Sequence, residues 1–353
     1  MAEHSKKITL SDIAQKLGIS KSAVSFALKN SPMVSKETCK RVQGVAQKMG
    51  YKRNELFSSM MSSMRKGSRA SFTENIAVIN GNLESSALTT HPTLPRYYEG
   101  IRQEAERLGY GINEFWLHEK GLNAEKLTKI FNSRGIRGGI VLGHSFGNLF
   151  PKRFERLWRD FYFISAGIRT INPYIEVVAS DDYAISYNAY FEVSALGYKR
   201  IGIVFDENVD ELVGGTMIAG YLRAQLKCKM DIPPFMESPN NADYAAKLKT
   251  WIDKYKPDAI LYLRNAARKY LEKISEIKDG KIVLFQLERR GDSQHWTGME
   301  QNNDIVGRVA VRRLADMLSR NSAVAGENST MLTLVPPTWI NGGVKKKCKI
   351  NLQ

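Results

Sequence analysis

The amino-acid sequence predicts two folds in series: a small all-α domain of three helices, followed by a larger α/β domain with parallel, doubly wound sheets. Apolar residues recur at helical spacing near the N-terminus, and short apolar runs alternate with amphipathic stretches from residue 75 onward. The 353 residues are enough for two or three domains with their own cores. Because the α/β part exceeds what one such sheet needs, we expect two lobes.

The first predicted helix lies in the segment LSDIAQKLG, residues 10–18. Thr9 precedes it as a plausible N-cap, and Gly18 is suited to end it. Apolar side chains on one face of this helix predict an inward side, and they are Leu10, Ile13, Ala14 and Leu17.

A second short helix follows, with Ser20 as its expected N-cap. Its buried stripe is predicted to consist of Ala23, Val24, Ala27 and Leu28. Two short helices joined by a turn that contains glycine are typical of the helix-turn-helix, whose second helix enters the major groove by its N-terminus. Lys21, Ser22 and Phe26 lie off the buried stripe and are therefore expected to face base edges, with Ser25 placed to meet a phosphate.

The third predicted helix begins after Ser35 and runs through KETCKRVQGVAQKMG, with Val42, Val45, Ala46 and Met49 inward. It completes a helix-turn-helix headpiece over residues 1–54. The polar, serine-rich segment 55–74 that follows is expected to be a linker or a helix that orders only on a partner.

Charge is concentrated in the N-terminal part of the chain. Residues 1–69 carry 14 Lys and Arg against 4 Asp and Glu, a net +10, whereas the remainder carries 38 against 32, a net +6. Four of the latter cations fall in a basic tail at residues 345–353, so the α/β part is nearly neutral. A short basic segment on a neutral body predicts attraction to a polyanion, here double-stranded DNA.

Composition argues against several other classes of protein. No apolar run reaches the roughly 18 residues of a membrane span, and the first residues show no secretory leader pattern, so a cytoplasmic protein without membrane association is expected. Three cysteines and five histidines are scattered and match no metal-ligand spacing. No metal and no cofactor are therefore expected.

The segment ITLSDIAQKLGISKSAVSFALKNSPMVSKETCKRVQGVAQKMGYKRN resembles the DNA-binding headpiece of the LacI/GalR family of bacterial transcription regulators. The likeness covers the three helices, the V-S-x-x-L core of the second, the VSKET start of the third and the GYxxN exit. It implies base readout by Lys21, Ser22 and Phe26. It implies phosphate or positioning contacts by Thr9, Ser20, Ser25, Lys29, Ser35, Thr38, Tyr51 and Asn54.

One position departs from that family pattern. Phe26 stands where the family most often has arginine, so an apolar contact, for example to a thymine methyl, replaces a bidentate contact to guanine. The operator is therefore expected to differ from the commonest half-site of the family. The family's minor-groove hinge helix corresponds to NELFSSMMSSM, in which Met60 and Met61 stand near the wedge position, and an ordinary flexible linker remains the alternative.

The α/β part resembles the periplasmic-binding-protein-like effector domain of the same family. Its predicted strands are NIAVIN, GINEFWL, GGIVLG, FYFISA, EVVAS, RIGIVF, DAILYL, KIVLFQL and TMLTLV. The resemblance implies one effector-binding and dimerisation domain over residues 75–344. Its lobes are expected at 75–178 with 303–327, and at 179–302 with 328–344, with crossings near Ala179–Asp181, Gln301 and Asn328.

The expected effector pocket departs from the sugar-binding members of the family. Met217 replaces an arginine, Arg264–Asn265 replaces an Asn-Asp pair, and Gln286 or Leu287 replaces an aspartate. A site that binds hydroxyl groups loses affinity when its hydrogen-bonding side chains are replaced. Either the ligand is therefore unusual, or control by a small molecule is lost. The candidate pocket residues are Tyr97, Tyr98, Asp181, Met217, Arg264, Asn265, Gln286, Trp296 and Gln301.

An enzyme is not expected, although one motif supports an alternative. GHSFG matches the nucleophile elbow of α/β hydrolases after a predicted strand, with Ser145 as nucleophile, His295 as base and Asp258 or Asp206 as acid. No HGGG-type oxyanion motif precedes it. A ligand-binding protein without regulatory DNA contact is the other alternative, but it would not need residues 9–54.

The expected function is therefore that of a sequence-specific transcription regulator, a repressor modulated by a small-molecule effector. A homodimer is expected to bind a pseudo-palindromic operator whose half-sites match its two-fold symmetry. The tail KKKCKINLQ lacks the apolar heptads of a tetramerising coiled coil, which favours a dimer over a tetramer.

Overall fold

The computed structural model describes residues 10–28, 34–49, 74–143, 148–171, 175–263, 265–288, 296–320 and 331–344. Two compact units are present, one that contains the three N-terminal helices and one that contains two sheets. Several predicted residues lie outside the described ranges: Thr9, Lys29, Tyr51, Asn54, Met60, Met61, Ser145, Arg264 and His295. The side chains of Ser22, Ser25 and Asn265 lie outside the description as well.

The N-terminal unit contains the three predicted helices, α1 (Leu10–Leu17), α2 (Lys21–Leu28) and α3 (Lys36–Lys48). Gly18 ends α1 with a φ of 64°, a left-handed conformation that glycine adopts without strain. The predicted inward faces meet in one small core, whose buried residues are Ile13, Ala14, Val24, Ala27, Cys39, Val42 and Ala46.

The first sheet of the second unit has six strands, all paired in parallel, in the order β11-β5-β4-β3-β1-β2. These strands are β1 (Glu74–Asn80), β2 (Tyr110–Trp116), β3 (Gly138–Leu142), β4 (Tyr162–Ala166), β5 (Glu176–Ser180) and β11 (Leu332–Val335). The central strand β3 is buried throughout, as expected of a strand covered by helices on both faces.

The second sheet also has six strands, in the order β12-β10-β9-β8-β6-β7. They are β6 (Ile201–Phe205), β7 (Phe235–Met236), β8 (Ala259–Tyr262), β9 (Val283–Gln286), β10 (Gly298–Glu300) and β12 (Thr338–Ile340). Parallel pairing predicted from the strand-helix alternation is confirmed except at β12, which pairs antiparallel with β10. Strands β7, β10 and β12 were not predicted, because each has only two or three residues.

Helices connect the strands and cover the sheets. The helices that follow β1 along the chain are α4 (Ala87–Thr90), α5 (Leu94–Leu108), α6 (Ala124–Arg134), α7 (Glu155–Asp160), α8 (Asp182–Ala195), α9 (Glu207–Leu212), α10 (Thr216–Cys228), α11 (Tyr244–Tyr255), α12 (Asn265–Leu271), α13 (Ser275–Lys278) and α14 (Asn303–Arg320). None of the helices within the described ranges is both long and apolar enough to cross a membrane.

The crossings between the lobes differ in part from those predicted. The whole of β5 belongs to the first sheet, so the first crossing begins at Asp181. The predicted third crossing near Asn328 is wrong, because β11 still belongs to the first sheet and β12 to the second. The chain crosses at Pro336–Pro337, where the Asn302 side chain donates hydrogen bonds to the Pro336 carbonyl (2.9 Å) and the Thr338 hydroxyl (3.1 Å).

The first lobe contains a buried carboxylate held between two arginines. Glu104 on α5 is 2% exposed and accepts hydrogen bonds from Arg107 (2.5 Å) and from Arg312 on α14 (2.8 Å). The Arg107 guanidinium, with that of Arg312, lowers the pKa of Glu104 to about 2 despite its burial. The carboxylate therefore links α5 to α14 while it is ionised.

Replacing Glu104 by glutamine is expected to lower the free energy of unfolding at pH 7 by about 1–2 kcal/mol, because both arginines are half exposed and partly screened. The lowered pKa stabilises the native state at pH values above the pKa that the carboxyl has in the unfolded chain. This stabilisation is lost as pH falls from about 4.5 toward 2. Urea unfolding should give a smaller difference in the free energy of unfolding between the parent chain and Glu104→Gln at pH 3 than at pH 7. Glu125→Gln, on an exposed pair, is the control and should change little.

Candidate nucleic-acid interface and effector cleft

Hydrogen-bonded serines set the starts of the second and third helices of the headpiece. The Ser20 hydroxyl accepts from the Ala23 amide (3.1 Å), and the Ser35 hydroxyl accepts from the Thr38 amide (3.2 Å). The Gln43 side chain donates to the Ala27 carbonyl (3.4 Å), which ties α3 to the end of α2. The predicted cap at Ser20 is confirmed, Ser35 caps α3 in the same way, and the two capped helices share one core.

The outer side of α2 carries a cation and an aromatic ring. Lys21 is exposed and Phe26 is 37% exposed, whereas Val24 and Ala27 on the opposite side are fully buried. The headpiece core does not use the Phe26 ring. An exposed cation and an exposed aromatic ring on the second helix of a helix-turn-helix are chemically suited to a phosphate and a base edge.

The described part of the headpiece is basic on its surface. All six of its cations are exposed, whereas its acidic side chains are only Asp12 and Glu37. The six are Lys16, Lys21, Lys36, Lys40, Arg41 and Lys48. A surface with this excess of positive charge favours binding to the phosphate backbone of a nucleic acid.

Several predicted cleft residues lie at the crossings between the lobes. Asp181 caps α8 by accepting from the Ala184 amide (3.0 Å), and its own amide donates to the Val335 carbonyl (2.9 Å). The Gln301 carbonyl accepts from the Ser180 hydroxyl (3.1 Å). Gln286, Trp296 and Gln301 are all buried, at 2%, 8% and 6% exposure.

Three other predicted pocket residues are not brought together. Tyr97 is buried against Gly167 at the end of β4, whereas its neighbour Tyr98 donates a hydrogen bond to Glu114 on the edge strand β2. Burial and the Glu114 carboxylate raise the pKa of Tyr98. Met217 is 1% exposed and packs in the apolar core of the second lobe.

Two polar contacts that sequence reasoning missed join the lobes directly. Arg96 on α5 donates two hydrogen bonds to Glu300 at the end of β10, both at 2.9 Å. The side chain of Asn148, which adopts a left-handed φ of 62°, donates to the Leu212 carbonyl at the end of α9 (2.8 Å). These contacts hold the two walls of the cleft against each other.

A carboxyl group at the start of α8 has a strongly shifted pKa. Burial raises the pKa of Asp182 to about 7, and the nearby carboxylates of Glu288 and Asp181 contribute to the increase. This shift could not be predicted from the sequence, because Glu288 is more than 100 residues away from Asp182 along the chain. Within the described ranges, no His, Cys, Asp and Glu cluster has the size needed to hold a metal ion.

Comparison with known proteins bears on the headpiece first. Residues 9–54 match the family model described as "Bacterial regulatory proteins, lacI family". The chain carries a LacI-family headpiece. The "HTH-type transcriptional regulator MalR" of Streptococcus pneumoniae serotype 4 (strain ATCC BAA-334 / TIGR4) is 24% identical over 197 residues, 56% of either chain. The chain thus spans about half the length of this relative.

The fold that follows the LacI-family headpiece is shared with solved regulators. A "transcriptional regulator CelR-cellobiose complex" matches with a TM-score of 0.57 and 16% identity, over 96% of this chain and 99% of that one. The lac repressor dimer bound to operator and the anti-inducer ONPF matches with a TM-score of 0.53 and 17% identity, over 95% and 98%. The predicted fold class, a helix-turn-helix headpiece followed by a periplasmic-binding-protein-like domain, is confirmed.

Of the residues of the hydrolase alternative, Ser145 and His295 lie outside the described ranges, and the two candidate acids lie within them. The Asp258 carboxylate accepts from the backbone amides of Lys199 and Arg200, at 2.9–3.2 Å, and so orders the turn before β6. Asp206 caps α9 by accepting from the Asn208 amide (3.1 Å). Both candidate acids thus serve the backbone of the second lobe.

Proposed function

We propose that this protein is a sequence-specific DNA-binding transcription regulator, and specifically a repressor. The observation that carries the proposal is the LacI-family headpiece, in which a capped, exposed α2 presents Lys21 and Phe26 beside a basic surface. Interaction with DNA accounts for this combination of exposed cations and exposed aromatic ring. We propose no enzymatic activity and place the protein in the cytoplasm.

In this proposal α2 reads bases and its surroundings hold the backbone. Lys21, Ser22 and Phe26 contact base edges, whereas Ser20, Ser25, Lys29, Ser35 and Thr38, with Thr9, Tyr51 and Asn54, contact or position phosphates. Met60 and Met61 wedge into the minor groove between two half-sites. The lac repressor dimer on its operator has the same fold, which supports a homodimer on a pseudo-palindrome for this chain.

A small-molecule effector in the cleft would control DNA binding. The cleft walls meet at Arg96–Glu300 and Asn148–Leu212, so a ligand that changes the spacing of the lobes must change these contacts. A shift of the lobes would favour or disfavour the segment between headpiece and lobes, and the coupling is reciprocal between ligand and DNA. The solved regulator in complex with cellobiose, which has the same fold, supports a small-molecule effector for this chain.

Selection of DNA from a random pool by the purified full chain tests the proposal. We expect recovery of a two-fold symmetric motif, because a dimer presents two copies of α2 related by its symmetry axis. The central step of the motif would show whether Met60 and Met61 occupy the minor groove. Binding that falls with salt yet enriches no sequence would contradict the proposal, since it would reflect phosphate charge alone.

A further inference from the structure

The second lobe carries an exposed apolar stripe along α10. Ala219, Leu222 and Leu226 recur at helical spacing on this helix, and all three are exposed. Leu226 is 67% exposed, more than any other large apolar side chain of the described residues, and Leu222 is 47% exposed. Met217 and Tyr221 of the same helix are buried in the lobe core. Two exposed leucines one helical turn apart are suited to packing against another helix.

The helix that carries this stripe is held firmly by its neighbour α8. A Cβ added at Gly220 would lie 2.3 Å from the Tyr183 carbonyl oxygen, so the two helices are in close contact. The Lys227 ammonium donates a hydrogen bond to the Tyr187 hydroxyl (2.9 Å) and lies 5.6 Å and 5.7 Å from the ring centres of Tyr187 and Phe191. The stripe is therefore presented on a fixed helix, and binding to it needs little ordering of the backbone.

The charges around the stripe are divided between the two ends of α10. Before α10, the exposed Glu207 and Glu211 lie near Asp210, whose carboxylate accepts a hydrogen bond from an amide in the first turn of α10. At the other end, Lys227 and Lys229 are exposed. None of these four exposed charges forms an ion pair with another described residue. The polarity stabilises α10 through its helix dipole, and it leaves the outer face with one acidic and one basic end.

A face with this charge distribution is complementary to a second copy of itself. When two copies of α10 pack antiparallel about a two-fold axis, the apolar stripes meet at the centre and each acidic end meets the other copy's basic end. Ile218 at the acidic end precedes Leu222 by four residues and Lys227 follows it by five, so an axis at Leu222 brings the ends into register. Arg223, beside this axis, then faces the exposed Tyr183 ring of the other copy. A partner of uniform charge would be repelled by one of the two ends.

We infer that the outer face of α10, together with α9, binds a second copy of this chain. The apolar stripe supplies most of the affinity, since exposed ion pairs contribute little, and the charges select the antiparallel orientation. This contact goes beyond the proposed function and does not depend on DNA binding. It either joins two homodimers or is itself the homodimer contact, and in both cases its loss lowers the mass of the assembly at least two-fold.

The first test removes the apolar contact without changing charge. Sedimentation equilibrium of the purified full chain over a range of concentrations should give a mass for Leu226→Asn at least two-fold below that of the parent chain. The thermal unfolding midpoint should stay close to the parent value, because the side chain is largely exposed. Leu83→Asn, at another exposed leucine, is the matched control and should keep the parent mass. Equal masses for Leu226→Asn and the parent chain at every concentration would overturn the inference.

The second test exchanges the charges of the two ends. One variant carries Glu207→Lys with Glu211→Lys, and the other carries Lys227→Glu with Lys229→Glu. Each variant alone brings like charges together, so at low salt we expect at least tenfold weaker self-association than in the parent chain. An equal mixture should recover the parent mass, because every end then meets the opposite charge. A mixture that keeps the mass of the separate variants, or separate variants that associate like the parent, would contradict the inference.

Discussion

The double substitution Lys21→Ala with Phe26→Ala is expected to remove sequence preference while leaving salt-dependent DNA binding in place. Each lost base contact costs about 1–3 kcal/mol of discrimination, so the two together should lower the ratio of operator to random-DNA affinity by about 30-fold or more. Both side chains are exposed, and the headpiece core does not include them. The fold should therefore persist.

The measurement is a pair of binding titrations, on the selected operator and on a scrambled duplex of equal length, at several salt concentrations. Lys40→Ala is the matched control, because it removes the same charge from an exposed position on α3. We expect that control to change affinity for the two duplexes by the same factor. An unchanged specificity ratio in the double variant would show that α2 does not read the bases.

The headpiece was predictable because its determinants are local. Helical periodicity, a glycine at the end of α1 and a serine cap at Ser20 act over three or four residues, and each was confirmed. The parallel α/β architecture was predictable for a similar reason, since alternating apolar runs and amphipathic stretches determine a doubly wound sheet.

Contacts between distant segments could not be predicted. Arg96 and Glu300 are 204 positions apart, and Asn148 is 64 positions from Leu212, so no spacing in the sequence links them. The crossing at Pro336–Pro337 depends on which sheet each of the two short flanking strands joins. Strands of three or four residues have too few apolar positions to predict their pairing.

The predicted pocket residues of the first lobe have different surroundings. Tyr97 and Tyr98 are neighbours on one helix, where successive side chains point about 100° apart, and Tyr97 is buried whereas Tyr98 donates a hydrogen bond to Glu114. Met217 followed from the resemblance alone, and its burial in the core shows that an aligned position need not face the cleft. Which of the predicted residues contact an effector stays a prediction.

A glycine in the first lobe provides the stability test with the largest expected effect. A Cβ added at Gly100 on α5 would lie 1.9 Å from the Asp304 carbonyl oxygen of α14, and one at Gly307 would lie 2.2 Å from the Tyr97 carbonyl oxygen. Because both obstacles are backbone atoms, no side-chain rotation relieves them. The two helices pack this closely only because each carries glycine at the crossing.

Gly100→Ala is therefore expected to force α5 and α14 apart and to lower the free energy of unfolding by about 3 kcal/mol or more. Gly44→Ala on α3 is the matched control, since nothing lies within 4 Å of the added methyl. That control should instead stabilise the headpiece by about 0.5–1 kcal/mol, because alanine loses less backbone entropy than glycine in a helix.

Urea and thermal unfolding of the full chain, followed by circular dichroism, distinguish the two outcomes. The chain has more than one compact unit, so midpoints of resolved transitions are compared rather than one global free energy. Opposite shifts for the same Gly→Ala change would show that helix propensity governs α3 whereas backbone contact governs the α5–α14 crossing. Equal midpoints for Gly100→Ala and the parent chain would mean that the helices separate freely, against the close packing of the first lobe.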